Sequence, residues 1–381
     1  MIMPNNEIAY INGASLNWAI KRIKANAKVV SDRTKISESD LIDWIDEKSF
    51  PSFSKIRIVC KFLKINIATL YLPVESLEGR KIELDARRLY ESLGDISVET
   101  RLKVLTFVEK FETHRNMSEL LGLSKYQFGK IHTRELGSGI KNLIGIDSFH
   151  GKYANKAKVY KNIKLKLSEK GIVVFQVSEV PLSEFRALVV HDEDYPAIIV
   201  NRNDSYSGRI FSLVHEIAHI LTGSGSSLTL DSEFTGDHSI SRDELEIDRM
   251  ISEILMPRED IIKYVSQISF EHIGLSCDSI SKRFVVSPLA IARRLVDLKY
   301  IEWDSYKIVR QYCIDNVEKT KISTKWKGGF IPPSADCISQ NGGRFINSVV
   351  NAYNKKLITI SDALSAIGVK YNTFKKIEAM T

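Results

Sequence analysis

Apolar residues recur at helical spacing along almost the whole chain, and the period changes only once. GIVVFQVSEV (171–180), FRALVVHD (185–192) and YPAIIVN (195–201) are short runs rich in Val and Ile and broken by turn residues. Such runs read as strands, here a small antiparallel sheet with Asp192-Glu193-Asp194 turning between the last two. Everything around them is helical, so the expected fold is α+β and mostly helical. Blocks LNWAIKRI, SESDLIDWIDEK, SKIRIVCKFL and NIATLYL between Ser15 and Leu72 predict a compact four- or five-helix unit. Ser37 caps one of these helices, and Pro51-Ser52 opens the next. Residues 84–135 continue as connecting helices. After the strands, GRIFSLVHEIAHILTG predicts a helix ending at Gly223, followed by a Ser/Gly/Asp-rich loop to about Ser241 and a helix from about Arg242 to Met256, stopped by Pro257. Further helices follow over 279–298 and 360–377.

At 381 residues the chain exceeds one ordinary core. Four regions are expected: 1–80, a connector over 81–150, a core over 151–262 and a C-terminal helical domain over 263–381. With 44% hydrophobic and 27% charged residues, the composition is that of a folded globular protein. No apolar run approaches the roughly 18 residues of a membrane helix. The first residues carry Glu7 and asparagines where a secretory signal would be basic and then apolar, so the expected location is the cytoplasm. Cys60, Cys277, Cys313 and Cys337 are scattered without a CxxC pair, which argues against a disulfide framework or a thiolate zinc site. The formal charge of +7 divides as +3 over 1–80, −4 over 81–262 and +8 over 263–381. Any nucleic-acid contact is therefore expected in the C-terminal third, away from HEIAH, or at the N-terminus.

The stretch HEIAH, His215 to His219, carries the chemistry. Residues four apart share a helix face, so both imidazoles can aim at one ion, and Glu216 stands where a carboxylate can take a proton from an activated water. A catalytic zinc takes three protein ligands and keeps one position open. The third is expected from RDELEIDRMISEILMP, where Glu244 and Asp248 lie four apart on one face: one can bind zinc while the other hydrogen-bonds a ligand histidine. Glu246 lies on another face. Two histidines and a carboxylate favour zinc, with manganese as the alternative. His238 could be a transition-state donor, a fourth ligand or a solvated loop residue, and Tyr195 and Tyr206 are candidates to stabilise the oxyanion.

The hairpin ending IIVN, then R-x-F-S-L-V-H-E-I-A-H-I-L, then E-L-E-I-D-R-M-I-S-E-I-L-M-P, resembles the ImmA/IrrE family of regulatory metallopeptidases. That family's second helix reads E-x-x-A-[ND]-x-F-A-x-x-L-L-M-P. Glu244, Asp248, Leu255, Met256 and Pro257 match, whereas Ile247, Met250 and Ile251 replace Ala, Phe and Ala. The resemblance covers about residues 170–257. It implies a zincin-like, gluzincin-type peptidase core in which His215, His219 and Glu244 bind zinc, Asp248 supports a ligand and Glu216 is the general base. It also implies a substrate that is a DNA-binding repressor or antitoxin, cleaved under stress or on induction of a mobile element. The alternative is a DNA-binding regulator or antitoxin-type protein whose zinc domain senses or docks a partner without turnover.

Residues 15–73 resemble a degenerate Xre-type helix-turn-helix domain. Trp44 and Pro51 fit its W-E-x-G-x-x-x-P pattern, while Ile45 and Glu47 stand at the pattern's Glu and Gly. A second segment, SISKRFVVSPLAIARRL, has helix-turn-helix character with VVS as the turn, and Lys282, Arg283, Arg293 and Arg294 would contact DNA phosphates if it docks. The opposing expectation is a helical unit packed on the peptidase core with a solvated basic face.

Overall fold

Capping side chains set where the first helices begin. Asn12, Asn26, Ser37 and Ser52 each accept a backbone N–H of the first turn, starting α1 (Gly13–Arg22), α2 (Ala27–Thr34), α3 (Glu38–Ile45) and α4 (Phe53–Leu63). These caps satisfy donors that a helix leaves unpaired at its start. The computed structural model describes residues 7–78, 96–126, 131–146, 155–223, 242–267, 271–323 and 331–381. Two compact units are formed, 1–109 and 110–381.

In the first unit Leu16, Ile20, Leu41, Trp44, Ile56, Val59 and Leu63 form a shared apolar core. The start of α1 lies so close to the end of α3 that a Cβ on Gly13 would fall 2.2 Å from the Ile45 carbonyl oxygen. Glu47, at the pattern's glycine position, adopts a left-handed backbone with φ of 57°. Its carboxylate accepts the Gly13 N–H at 2.9 Å, which offsets part of the steric cost of that conformation.

In the second unit the sheet is mixed, which corrects the antiparallel expectation. The order is β1 (Val173–Val177), β3 (Ala197–Asn201), β2 (Ala187–Val190), so β3 is central. β2 and β3 form the expected antiparallel hairpin, with Val190 opposite Ala197, but β1 runs parallel to β3, with Val173 opposite Ala197. The physical cause lies in the link from β1 to β2. It passes the end of β3, where Asn201 Nδ2 donates to the carbonyls of Val180 (3.0 Å) and Phe185 (2.8 Å) and pins the crossing.

Every strand residue is buried, so both faces are covered. Val174, Ala187, Val189, Ile198 and Val200 join a core with the helices Lys156–Glu169 and Tyr206–Thr222. On the other face Phe175 meets the edge of Phe345, from the helix Gly343–Asn354, at 5.6 Å. Residues from the C-terminal third thus close the sheet's second side. Among the described residues no helix is long and apolar enough to cross a membrane.

Candidate functional site

The HEIAH helix, Tyr206–Thr222, follows β3 after a four-residue turn. Ser205 Oγ accepts the Gly208 N–H at 3.1 Å, and the Asp204 carboxylate lies against the first turn, 2.3 Å from where a Gly208 Cβ would stand. Only glycine fits there without displacing that carboxylate. The helix ends on Gly223 in the left-handed conformation, as expected from the sequence. From Ser212 to Leu221 every residue is buried. His215, Glu216 and His219 are 4%, 0% and 1% exposed, so the pair of imidazoles and the carboxylate between them sit inside the protein.

The two rings converge. His215 Nε2 and His219 Nε2 are 3.0 Å apart, and His215 Nδ1–H donates to the Asp248 carboxylate at 3.1 Å. A carboxylate only accepts, so this bond fixes the proton of a neutral His215 on Nδ1 and leaves the Nε2 lone pair turned toward His219. Two imidazole nitrogens aimed at one point, one of them oriented from behind by an acid, are the donor chemistry a zinc ion takes. The two imidazoles therefore supply two of the donors a metal takes. Among the described residues no group of three His, Cys, Asp or Glu side chains gathers to hold an ion. Glu244 belongs to the acidic helix Arg242–Leu255, one turn before Asp248, but its side chain lies outside the described residues, as does all of His238.

The two tyrosines have partners of their own. Tyr195 is buried with its hydroxyl donating to the Leu123 carbonyl at 3.3 Å and its ring edge-on to His114 at 6.3 Å. Tyr206 opens the HEIAH helix nine residues before His215, about 13 Å along the axis, and the Arg209 guanidinium covers its ring at 4.3 Å.

Sequence reasoning did not single out Glu253. Its carboxylate pairs with Arg294 and accepts the Arg258 N–H at 3.0 Å. Arg294 is buried and so engaged. The other three basic residues are also occupied. Lys282 pairs with Asp278 at 2.8 Å, Arg283 stacks on Tyr264 at 4.5 Å, and Arg293 pairs with Asp297 at 3.3 Å and lies over Trp303 at 5.0 Å. Their helices, Ile273–Ser281 and Pro288–Asp297, flank the turn 282–287 and pack on Trp303–Ser323.

Residues 168–296 match the family model of the IrrE N-terminal-like domain, Peptidase_M78. The match supports the ImmA/IrrE resemblance and brings the expectation of a metal-dependent peptidase. It covers about a third of the chain, from the end of the helix Lys156–Glu169 to the end of the helix Pro288–Asp297, and contains both histidines, Glu216 and the acidic helix. No curated protein and no solved structure gives a match.

Proposed function

We propose that the protein is a regulatory zinc-dependent endopeptidase that hydrolyses a peptide bond in a protein partner, a DNA-binding repressor or an antitoxin. One observation carries the reading: two buried imidazole Nε2 atoms 3.0 Å apart, within the span of a peptidase family. His215, His219 and Glu244 would hold the metal, and Asp248 would keep the His215 lone pair directed at it. When bound, zinc supplies a Lewis acid that makes water acidic near neutral pH and polarises a carbonyl. Glu216 accepts the proton of the attacking water and returns it to the leaving nitrogen. Burial of the HEIAH helix keeps bulk water and competing polar groups away from that transfer. The first unit, with its Xre-like helices, would dock the partner or its DNA.

Zinc content and turnover, measured on the same preparations, test the proposal. The purified chain should carry stoichiometric zinc and cut a small helix-turn-helix repressor encoded beside it. Glu216→Gln should keep the zinc and lose roughly 10²–10⁴-fold in cleavage rate, the usual contribution of a general base. Cleavage by Glu216→Gln at the wild-type rate removes Glu216 from the chemistry. An identical cellular phenotype with and without Glu216 replaces turnover with the second reading, a regulator that senses or docks its partner.

A further inference from the structure

The sequence ISDALSAIGVKYNTFKKIEA folds as two eight-residue helices, Ile360–Ile367 and Tyr371–Glu378, joined by Gly368-Val369-Lys370. Gly368 takes the left-handed conformation, φ 80°, that lets so short a turn redirect the chain. A capping box fixes the start of the first helix: Thr359 Oγ1 accepts the Asp362 N–H at 3.2 Å and Asp362 Oδ2 accepts the Thr359 N–H at 2.9 Å. Ala363, Ile367, Phe374 and Ile377 are buried, and Phe374 stands edge-on to Tyr353 of the preceding helix, Gly343–Asn354, at 5.4 Å. Three short helices with a glycine-bearing three-residue turn between the last two have the form of a DNA-reading helix-turn-helix.

The face left outside has a definite chemistry. Tyr371, Asn372, Lys375 and Lys376 are exposed and form one stripe along the last helix. Lys370 at its start and Lys355 and Lys356 after the preceding helix are exposed as well. Residues 343–381 hold six Lys and Arg against two Asp and Glu, a net +4 of the chain's +7. Both acids are engaged, Asp362 in the capping box and Glu378 with Lys375 at 2.7 Å. An ordinary solvated face intersperses both signs. Lys282, Arg293 and Arg294 are in ion pairs and Arg283 lies over Tyr264, whereas among the described residues Lys355, Lys356, Lys370 and Lys376 are in no ion pair.

We propose that residues 343–381 bind duplex DNA, with the helix Tyr371–Glu378 in the major groove. Tyr371 and Asn372, at its N-terminal end, face the base edges, where an asparagine amide can pair with adenine. Lys355, Lys356, Lys370 and Lys376 contact phosphates. This assignment stands whether or not the protein is a peptidase.

The test is fluorescence anisotropy of a labelled mixed-sequence DNA duplex titrated with the full-length chain across a salt series. Lys370→Glu combined with Lys376→Glu should weaken binding at least tenfold and lower the salt slope by about two. Lys282→Glu with Arg293→Glu should leave both within about twofold. The double Gln variant, which adds no repulsion, should shift in the same direction, and an unchanged unfolding midpoint shows that the fold persists. Four outcomes overturn the proposal: no duplex binding at low salt, wild-type affinity in the Lys370/Lys376 variants, loss confined to Arg57→Glu with Lys61→Glu in the first unit, or equal affinity for duplex RNA, whose deep, narrow major groove excludes such a helix.

Discussion

Replacing Asp248 by Ala removes the 3.1 Å hydrogen bond to His215 Nδ1. Loss of such an acceptor behind a ligand histidine lowers metal affinity by about 10–100-fold, or about 1.4–2.7 kcal/mol. The structure points to the lower end. The Asp248 side chain is 39% exposed, so solvent already screens its charge, and its main contribution is directional, holding the proton on Nδ1. About tenfold weaker zinc binding is therefore expected for Asp248→Ala. Asp248→Asn retains an oxygen acceptor and should lose less, about threefold. The measurement is the zinc Kd by competition with a chromogenic chelator, with His219→Ala as the variant in which binding collapses. Zinc affinity in Asp248→Ala equal to wild type, alongside collapse in His219→Ala, would refute the claim that Asp248 orients His215.

Two further predictions concern stability. Glu47→Ala keeps the left-handed backbone but loses the bond to Gly13 N–H, and should destabilise the first unit by about 1 kcal/mol in urea denaturation. Glu47→Gly loses the same bond yet relieves the backbone, and should be about 1 kcal/mol more stable than the Ala variant; the reverse order would show that the side chain matters for another reason. Burial, with the Arg344 charge adding to it, pushes the His114 imidazole down to about 3 from the ordinary 6.5. The folded form then stays neutral while the unfolded chain takes up a proton, so its contribution is complete above pH 6.5 and is lost as the pH falls toward 3. Between pH 7.5 and pH 5 the loss should be about 2 kcal/mol, and His114→Asn should flatten that part of the denaturation profile. A profile unchanged in the variant assigns the acid sensitivity elsewhere.

Helix boundaries were legible in the sequence wherever a side chain or a backbone conformation dictates them: Ser37 and Ser52 as caps, Gly223 as a left-handed stop, Pro257 after the acidic helix. The strands were legible as strands, but their neighbours were not. Both faces of the sheet are buried, so polarity carries no trace of which strand lies beside which, and the side-chain amide of Asn201 that holds β1 beside β3 acts across the chain. The convergence of His215 and His219 follows from helical spacing alone. The partners of Tyr195 and Tyr206, the Leu123 carbonyl and the Arg209 guanidinium, were not legible in the sequence. Glu47 could be read only in part, because the pattern asks for glycine at its position without revealing that a carboxylate can compensate for the missing one.

Arg294 explains why the matched domain reaches so far beyond the HEIAH motif. On a helix of alternating apolar and basic residues it reads as solvated, yet it is buried against Glu253, forty-one residues earlier. Glu253 lies on the same helix as Asp248, and Ile251 and Ile254 of that helix are sunk in the core shared with the helices Ile273–Ser281 and Pro288–Asp297. Orientation of His215 therefore depends on an acidic helix that is itself held by residues up to Arg294. The family match ends at residue 296, two residues past that guanidinium. A unit cut at Pro257 would retain the histidines and Asp248 but would expose the apolar face of the acidic helix and release Glu253. The hydrogen bond at His215 would then rest on a helix that keeps its packing on the HEIAH helix and on the helix Thr133–Ile144 but has lost the support of the later helices.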